Sequence, residues 1–566
     1  MSDTKELQAR ALGHNGPIDL AIDFEGHQLT DVKVTHHSET KGIFNQVFGK
    51  LRDTILEEQS FGVDVVSGAS VMSKAILDSA NEAIEKAGIK LAAPVKKERE
   101  NVEEHTDVAV IGGGEAGLVA ACKALSRGKK VALFEKNGYL GGATILNGSN
   151  VTATGSKVAS TIFGVAAAKD TPELLSADVA RECLDSNIPV LTKLMAENIG
   201  NAIDFISDFA GLEYRKAQTQ TPEHSVERQV ELPSSSSYEL IEKVAAAFVK
   251  KGGKIFLDSR VEEILTDENG KITGFVAEGR TKKITVYANS FVLATGGYGA
   301  NKQMRGQESE GLNYYGPLTS TGDAYEFLKA FSLEVKNIGW YKVYPHGVET
   351  EPGIAKLTTY ASKKATDLGA VYVNQLGKRI VDESDVYATL RNAVLKQPGR
   401  VAYLVMDKRT WKEFYNLLVL HDFTAEEIAE YFAKDGKENP IFVKGTLSEV
   451  AKKAGINADN LKATITTYNE YATKGKDQEF KRDRAFLHAY EGEEFYVVEQ
   501  RDRFATTLGG FVTDADLHLK TQDNKKIANL WGAGEVIGGA NGHDSMPSMM
   551  NTWGISSGFV AGNSVE

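Results

Sequence analysis

The sequence predicts an α/β protein with a Rossmann-like parallel-sheet domain, an inserted α+β cap and a small N-terminal α+β domain. Three observations carry this prediction. Residues 107–135 read DVAVIGGGEAGLVAACKALSRGKKVALFE, which is a buried strand, a glycine turn, an apolar helix to Leu125 and a second strand ending in an acid. Residues 15–37 alternate like a small sheet, with Ile18, Leu20, Ile22 and Phe24, a turn at Glu25-Gly26, then Leu29, Val32 and Val34. The length, 566 residues, exceeds what one core supports, so several domains are expected.

The glycine turn has a physical reading. Gly112 makes the tight turn, Gly114 lets the backbone approach a pyrophosphate, and Gly117 lets helix and sheet pack closely. Glu115 and Ala116 open the helix, whose free N–H groups and positive dipole face the phosphates. Glu135 stands where a carboxylate accepts the hydroxyls of an adenosine ribose, with Lys136 beside it. A dinucleotide site follows.

Before that unit, a helix pattern covers residues 43–59. Val63-Asp64-Val65-Val66 then reads as a strand leading through Ser67-Gly68-Ala69-Ser70 into a helix that ends near Gly88. Hydroxyl and amide donors at a helix N-terminus describe a second phosphate cradle, and a simple Ser N-cap is the plainer alternative. His36 and His37 are adjacent on a strand and point to opposite faces, so a shared metal ion is not expected, and no metal site is assigned. Residues 93–106, a charge run, read as a linker. The residues therefore mark off 1–92, a linker at 93–106 and a larger region from 107 onward. Helix patterns at 425–434 and 458–474, with strands between them, give that region an α+β part.

Composition bounds the function. Net charge is −12, from 65 basic and 77 acidic residues, which argues against a nucleic-acid partner. No run approaches the ~18 apolar residues of a membrane helix, and MSDTKELQARALGHNG has no secretory pattern. Cys122 and Cys183 are isolated thiols, without a zinc or haem motif. A reduced cytoplasmic protein is expected.

Two resemblances sharpen this reading. Residues 13–90, through HSET-x-G and D-x-x-SGAS, resemble the small FMN-binding domain of bacterial electron-transfer proteins. That family often esterifies FMN to a hydroxyl beyond the motif. The corresponding position here is Met72, so attachment at Ser70 or Ser73, or non-covalent FMN, stays open. From residue 105 onward, four motifs occur in the order of the fumarate reductase/succinate dehydrogenase flavoprotein family. They are the 112–117 turn, Gly141-Gly142-Ala143-Thr144, Thr295-Gly296-Gly297 and Gly534-Glu535. The resemblance implies FAD, with Val261 and Asp323 completing the cofactor-binding set, and a mobile α+β cap over 343–502, inserted between 107–342 and a return of the first domain over 503–566, closing over substrate. No second GxGxxG follows a strand, so a dedicated NADH domain is not visible; electrons are expected to pass from NADH or a reduced flavin to FMN and then FAD.

The same resemblance implies hydride transfer from FAD N5 to one alkene carbon and protonation of the other by an arginine in the cap, with further arginine and histidines clamping carboxylates. Those residues are largely replaced. The arginine acid falls at Tyr387, the histidine of a His-Pro pair at Tyr344-Pro345, another histidine at Ala505 or Thr506, and the last arginine within Asp544-Ser545-Met546-Pro547-Ser548. A dicarboxylate needs arginine forks, so a flat neutral or phenolic substrate is favoured. Within the superfamily the chain is similar to the bacterial vinylphenol reductases. A 4-vinylphenol would be protonated at the vinyl terminus, giving a quinone methide that accepts hydride at the benzylic carbon. Tyr387 is the candidate acid, and Tyr344, His346 or Asp544 would face the phenol. His346 and Arg391 would rescue a carboxylate in the alternative reading, a reductase of hydroxycinnamate, urocanate or fumarate. A non-catalytic flavin electron carrier is the remaining alternative. Met546, Met549 and Met550 line a pocket or fill core.

Overall fold

The computed structural model describes residues 4–13, 16–39, 41–91, 99–218, 220–418, 421 and 423–566. Thr40 of the HSET motif lies outside these residues. At the centre is an eight-stranded sheet. Strand Glu100–Ile111 runs parallel to Val131–Phe134 on one side and Lys282–Leu293 on the other. Parallel strands need helical crossovers and burial on both faces, and Val108, Ala109, Val110 and Leu133 are wholly buried. The crossover Glu115–Ser126 is apolar nearly all round because the C-terminal helix Met549–Ser564 covers its outer side. A Cβ on Gly558 would lie 2.4 Å from the Ala116 carbonyl and one on Gly562 2.3 Å from that of Ala120, so these helices meet backbone to backbone.

The long strand Lys282–Leu293 changes partner halfway. Residues 283–287 pair antiparallel with Ile272–Glu278, and residues 291–293 pair parallel with Lys526–Gly532. The turns after Ile111, Leu293 and Gly532 therefore meet at the carboxyl ends of neighbouring parallel strands, where open α/β sheets bind ligands.

Two sequence expectations change here. Residues 92–98 lie outside the described part, but from Glu100 the charge run is strand rather than linker. Glu100 pairs with Lys282 and Glu103 with Thr285, along the exposed half of the long ladder. Residues 63–66 form no strand. Their backbone serves a seam instead: Arg280 donates to the Val65 carbonyl and Gly138 N to the Ser67 carbonyl, 2.9 Å.

The N-terminal unit is a three-stranded antiparallel sheet, Thr4–Leu12, Pro17–Glu25 and Gln28–His37, backed by helices Lys41–Glu58 and Ser70–Lys86. It is docked on the nucleotide-binding unit. Gln46 exchanges two hydrogen bonds with the Leu140 backbone, 2.9 and 3.1 Å, across this seam.

The cap holds a four-stranded antiparallel sheet in the order Val371–Val373, Val401–Asp407, Phe495–Arg501, Phe442–Gly445. Helices Ala425–Ala433 and Ala458–Lys474 lie where the periodicity predicts them. Between cap and nucleotide sheet runs a five-stranded sheet that the sequence did not reveal. It joins Tyr341–Tyr344 to Arg503–Thr507, with Tyr344 opposite Arg503.

Candidate functional site

One cavity of about 1220 Å³ runs from the N-terminal unit, across the glycine turns, to the underside of the cap. The glycines divide by what surrounds them. A Cβ on Gly112, at φ 113°, would sit 2.1 Å from the Ala294 carbonyl, and one on Gly117 2.0 Å from the Gly112 carbonyl. On Gly114 it would meet nothing closer than 3.8 Å, so the open side of that residue faces the cavity. This matches a pyrophosphate approaching along Gly114 and the N-terminus of Glu115–Ser126, which has no side-chain cap.

Glu135 accepts one backbone N–H on each carboxylate oxygen, from Gly113 and Asn137, both 2.8 Å. Each oxygen keeps a lone pair for a ribose hydroxyl. Burial alone pushes the Glu115 carboxyl well above the usual carboxylate range, and a neutral carboxyl is compatible with a neighbouring phosphate. The Thr295 hydroxyl is buried without a protein partner at the same place. Lys136 and Asp323 pair at 3.1 Å; Val261, Ala116, Gly142, Ala143, Thr144, Gly296, Gly534 and Glu535 also line the cavity. Glu535 accepts the N–H and hydroxyl of Thr507, at 2.7 and 2.8 Å. Gly141 and Gly297 are turn formers rather than lining, since their Cβ space is filled by Ile145 and by Thr507 with Glu535. These residues fit FAD.

At the other end, Gly68, Ala69, Ser70 and Met72 line the cavity with Gly13, Gly16 and Glu39. The helix starting at Ser70 has no side-chain cap, leaving its first amides open, which fits a phosphate. Two expectations are corrected. Ser67 does not cradle the phosphate, because its hydroxyl donates to Asp258 across the seam. Ser73 is not an attachment point, because its buried hydroxyl bridges Val66 N and the Ala69 carbonyl. Ser70 is exposed within the cavity.

Under the cap the cavity is aromatic. Tyr315, Tyr344, Tyr360 and Tyr387 line it with Met546, Pro547 and Met550, while Met549 is core. Tyr387 starts the helix Tyr387–Leu395, fixed by its backbone N–H donating to Glu223 at 3.0 Å. The Tyr344 and Tyr387 rings meet edge-on at 6.1 Å. Burial, then the Glu223 carboxylate, push the Tyr387 phenol well above its ordinary range, so it stays protonated.

Three expected residues are not in the lining. His346 is wholly buried behind Tyr387, ring centroids 5.0 Å apart. Burial, then Arg503, hold it neutral far below the usual histidine range. Asp544 is locked between Lys342 Nζ, 2.8 Å, and Arg391, which accounts for Arg391 as well. Glu383 is buried between Arg379, 2.7 Å, and Arg482, 3.0 Å. Sequence reasoning missed Arg503. It is 1% exposed and lines the cavity, with Nε on the His346 carbonyl, Nη2 on the Thr359 hydroxyl and Nη1 without a partner among the described residues.

Comparison with known proteins agrees with this geometry. The FAD binding domain family model matches residues 107–549, and the FMN-binding domain model matches residues 13–85. The chain thus carries both domains. NADH:acrylate oxidoreductase of Vibrio harveyi is 27% identical over 94% of this chain and 58% of its own length, so the chain spans little more than half of that relative. Urocanate reductase of Eggerthella lenta is 25% identical over 98% of this chain and 90% of its own. The open conformation of a flavocytochrome c3 fumarate reductase aligns with a TM-score of 0.65 at 26% identity, covering 81% of this chain and 78% of that one. Among the described residues, no helix is long and apolar enough to cross a membrane.

Proposed function

The chain belongs to the FAD binding domain family, and on that premise we propose that it reduces the C=C bond of an unsaturated aromatic compound, a 4-vinylphenol in particular, to the saturated product. The observation that carries this is the substrate end of the cavity. Four tyrosines and two methionines line it beside Arg503, and the positions at which the family resemblance implies arginines carry Tyr387 and the Asp544–Ser548 run instead. Flat aromatic walls bury a styrene-sized ring and orient it by edge and face contacts. Tyr387, protonated and cap-borne, is the proposed proton donor to the vinyl terminus. Tyr344 borders the ring, and the Lys342–Asp544–Arg391 cluster fixes the wall behind it.

Bound FAD supplies the hydride. Glu135, Gly114 and the Glu115 helix N-terminus would hold its nucleotide half, with Thr295 and the Gly534-Glu535 turn beside the remainder; Ser70 and its helix N-terminus would hold FMN. NADH or reduced flavin is the proposed source of reducing equivalents. The separate sheets support a division into an FMN unit (1–92), the FAD unit (107–342 with 503–566) and a cap (343–502).

A second reading, a carboxylate-directed ene-reductase, draws on relatives named for acrylate, urocanate and fumarate and on the buried cation Arg503. The deciding experiment is anaerobic. The flavin-loaded protein is reduced with dithionite and then mixed with one alkene at a time. Reoxidation by 4-vinylphenol and not by fumarate is expected. Reoxidation by acrylate, urocanate or fumarate alone selects the second reading. No reoxidation by any alkene would leave an electron carrier and overturn both.

A further inference from the structure

We propose that Arg503 receives the oxyanion of the substrate, and that this oxyanion is a phenolate oxygen rather than a carboxylate. The inference rests on the ene-reductase reading above and narrows its substrate class. Arg503 occupies none of the positions at which the family resemblance places an arginine. It lies on the strand Arg503–Thr507, opposite Tyr344.

The first argument is charge. The other described basic side chains lining the cavity each have an acid at hand: Arg10 has Asp19 at 3.6 Å, Lys136 and Arg260 share Asp323 at 3.1 and 3.0 Å, and Lys356 has Glu427 at 2.9 Å. Arg503 has no carboxylate of the described residues within ion-pairing distance. The adjacent Asp502 is pushed well above the usual carboxylate range by burial, against the opposing pull of Arg391, Arg400 and Arg503, and neither of its oxygens reaches a hydrogen-bond partner among the described residues. A buried guanidinium cannot shed its proton and is costly without an anion. Among the described residues no acid pairs with this cation beside the ligand cavity, and an anionic ligand would match it.

The second argument is the number of free donors. Nε already donates to the His346 carbonyl and Nη2 to Thr359, while the guanidinium carbon lies 4.1 Å from the Tyr315 ring centroid and 5.1 Å from that of Tyr344. Stacking and hydrogen bonds hold the plane still, and Nη1 is the one nitrogen without a partner among the described residues. A carboxylate is best met by a two-nitrogen fork. A single phenolate oxygen needs only one nitrogen.

The chemistry balances with this assignment. The vinyl terminus takes the Tyr387 proton as the phenolate pair moves into the ring, leaving a quinone methide. A hydride reaching the benzylic carbon returns that pair to oxygen, so the alkene gains two electrons and two hydrogens and the reduced flavin loses the hydride. Arg503 stays beside the oxygen from which charge departs and to which it returns.

The test is ligand binding to the oxidised, flavin-loaded protein, read by perturbation of the flavin absorbance. The ligands are 4-ethylphenol, the neutral 4-ethylanisole and the carboxylate 3-phenylpropionate. R503Q is expected to weaken 4-ethylphenol by about 10–100-fold, the loss of one charge-assisted hydrogen bond, and to leave 4-ethylanisole unchanged. R503K should recover part of the loss; should R503Q fail to hold flavin, the phenol-to-anisole ratio in R503K decides the same question. Equal weakening of both neutral and phenolic ligands would reduce Arg503 to packing, and weakening confined to 3-phenylpropionate would make the oxyanion a carboxylate. Either overturns the proposal. A wild-type protein that no alkene reoxidises would instead overturn the ene-reductase reading, and the titrations would still decide what Arg503 binds.

Discussion

Gly114→Ala and Gly117→Ala differ by one methyl group each and should fail in different ways. The Gly117 methyl would lie 2.0 Å from the Gly112 carbonyl oxygen, against about 3.4 Å for ordinary contact, so the helix start must withdraw by more than an ångström. Such overpacking costs about 1–3 kcal/mol. At roughly 2–4 °C per kcal/mol for a domain of this size, the flavin-free protein should melt several degrees lower. At Gly114 the backbone is ordinary, φ −77° and ψ −177°, and the methyl meets no protein atom within 3.8 Å. Flavin-free G114A should therefore melt like the wild type. Its defect is in the ligand: a methyl against the pyrophosphate displaces it from the helix amides, and losing one or two charge-assisted hydrogen bonds, about 1.5–3 kcal/mol each, weakens FAD by ~10²-fold or more. Thermal melts of the flavin-free variants and FAD titration by fluorescence quenching check both. G114A binding FAD within threefold of wild type would refute the assignment of the open side of Gly114 to the cofactor, and G117A melting at the wild-type temperature would refute the close packing of Gly117 on the turn.

Tyr387→Phe should retain flavin and lose about 10²–10⁴-fold in alkene turnover, the usual worth of a positioned acid; full turnover in stopped-flow reoxidation would remove Tyr387 as donor. Ser70→Ala should abolish any flavin that survives denaturation while leaving the melt unchanged, whereas Ser73→Ala should cost about 1 kcal/mol in urea unfolding through its lost turn hydrogen bonds. Asp544→Asn leaves Lys342 and Arg391 without their shared anion and should cost about 3–5 kcal/mol, measured the same way. For Asp323, burial pushes the pKa up, but Arg260 and Lys136 prevail and hold it at about 2. A depressed carboxylate adds stability above its unfolded pKa, near 3.8, and loses it as pH falls towards 2. Asp323→Asn should therefore flatten the melting profile between about pH 4 and 2.

The parts of the fold legible in the sequence are those fixed locally. The 112–117 turn needs glycines for reasons internal to a few residues, and Ala458–Lys474 carries its own cap, periodicity and αL glycine. Long-range pairing left weaker traces. The strand Thr4–Leu12 alternates only as Leu7, Ala9 and Ala11 between charged and polar residues, because one of its faces is solvated. The five-stranded sheet under the cap includes a two-residue strand and joins chain segments far apart, which no window can see. Gly554, Gly558 and Gly562 did offer a signal, a spacing of four on one helix face. At the site, the replacements at the family's arginine and histidine positions suggested a flat or phenolic substrate, and two of the replacing residues, Tyr344 and Tyr387, line the cavity. Arg391 and Asp544 were attractive because charged residues near a predicted pocket invite roles. Their ion pair is invisible without the fold, as is the isolation of Arg503.

The segment 135–140 is a splice between two nucleotide sites. Asn137 N holds the carboxylate that faces the adenosine, and the very next amide, Gly138 N, holds the carbonyl of Ser67 in the turn of the N-terminal unit. Val66 fills the space where a Gly138 side chain would be, and Asn137 does the same for Gly68. Neighbouring residues of one loop thus belong to both sites. Lifting the N-terminal unit away would free one end of the loop whose other end orders Glu135, so undocking and adenosine affinity are mechanically linked. A chain trimmed of its first 92 residues would lose more than its FMN cradle: its FAD site would lose the clamp that keeps the loop after Glu135 in place.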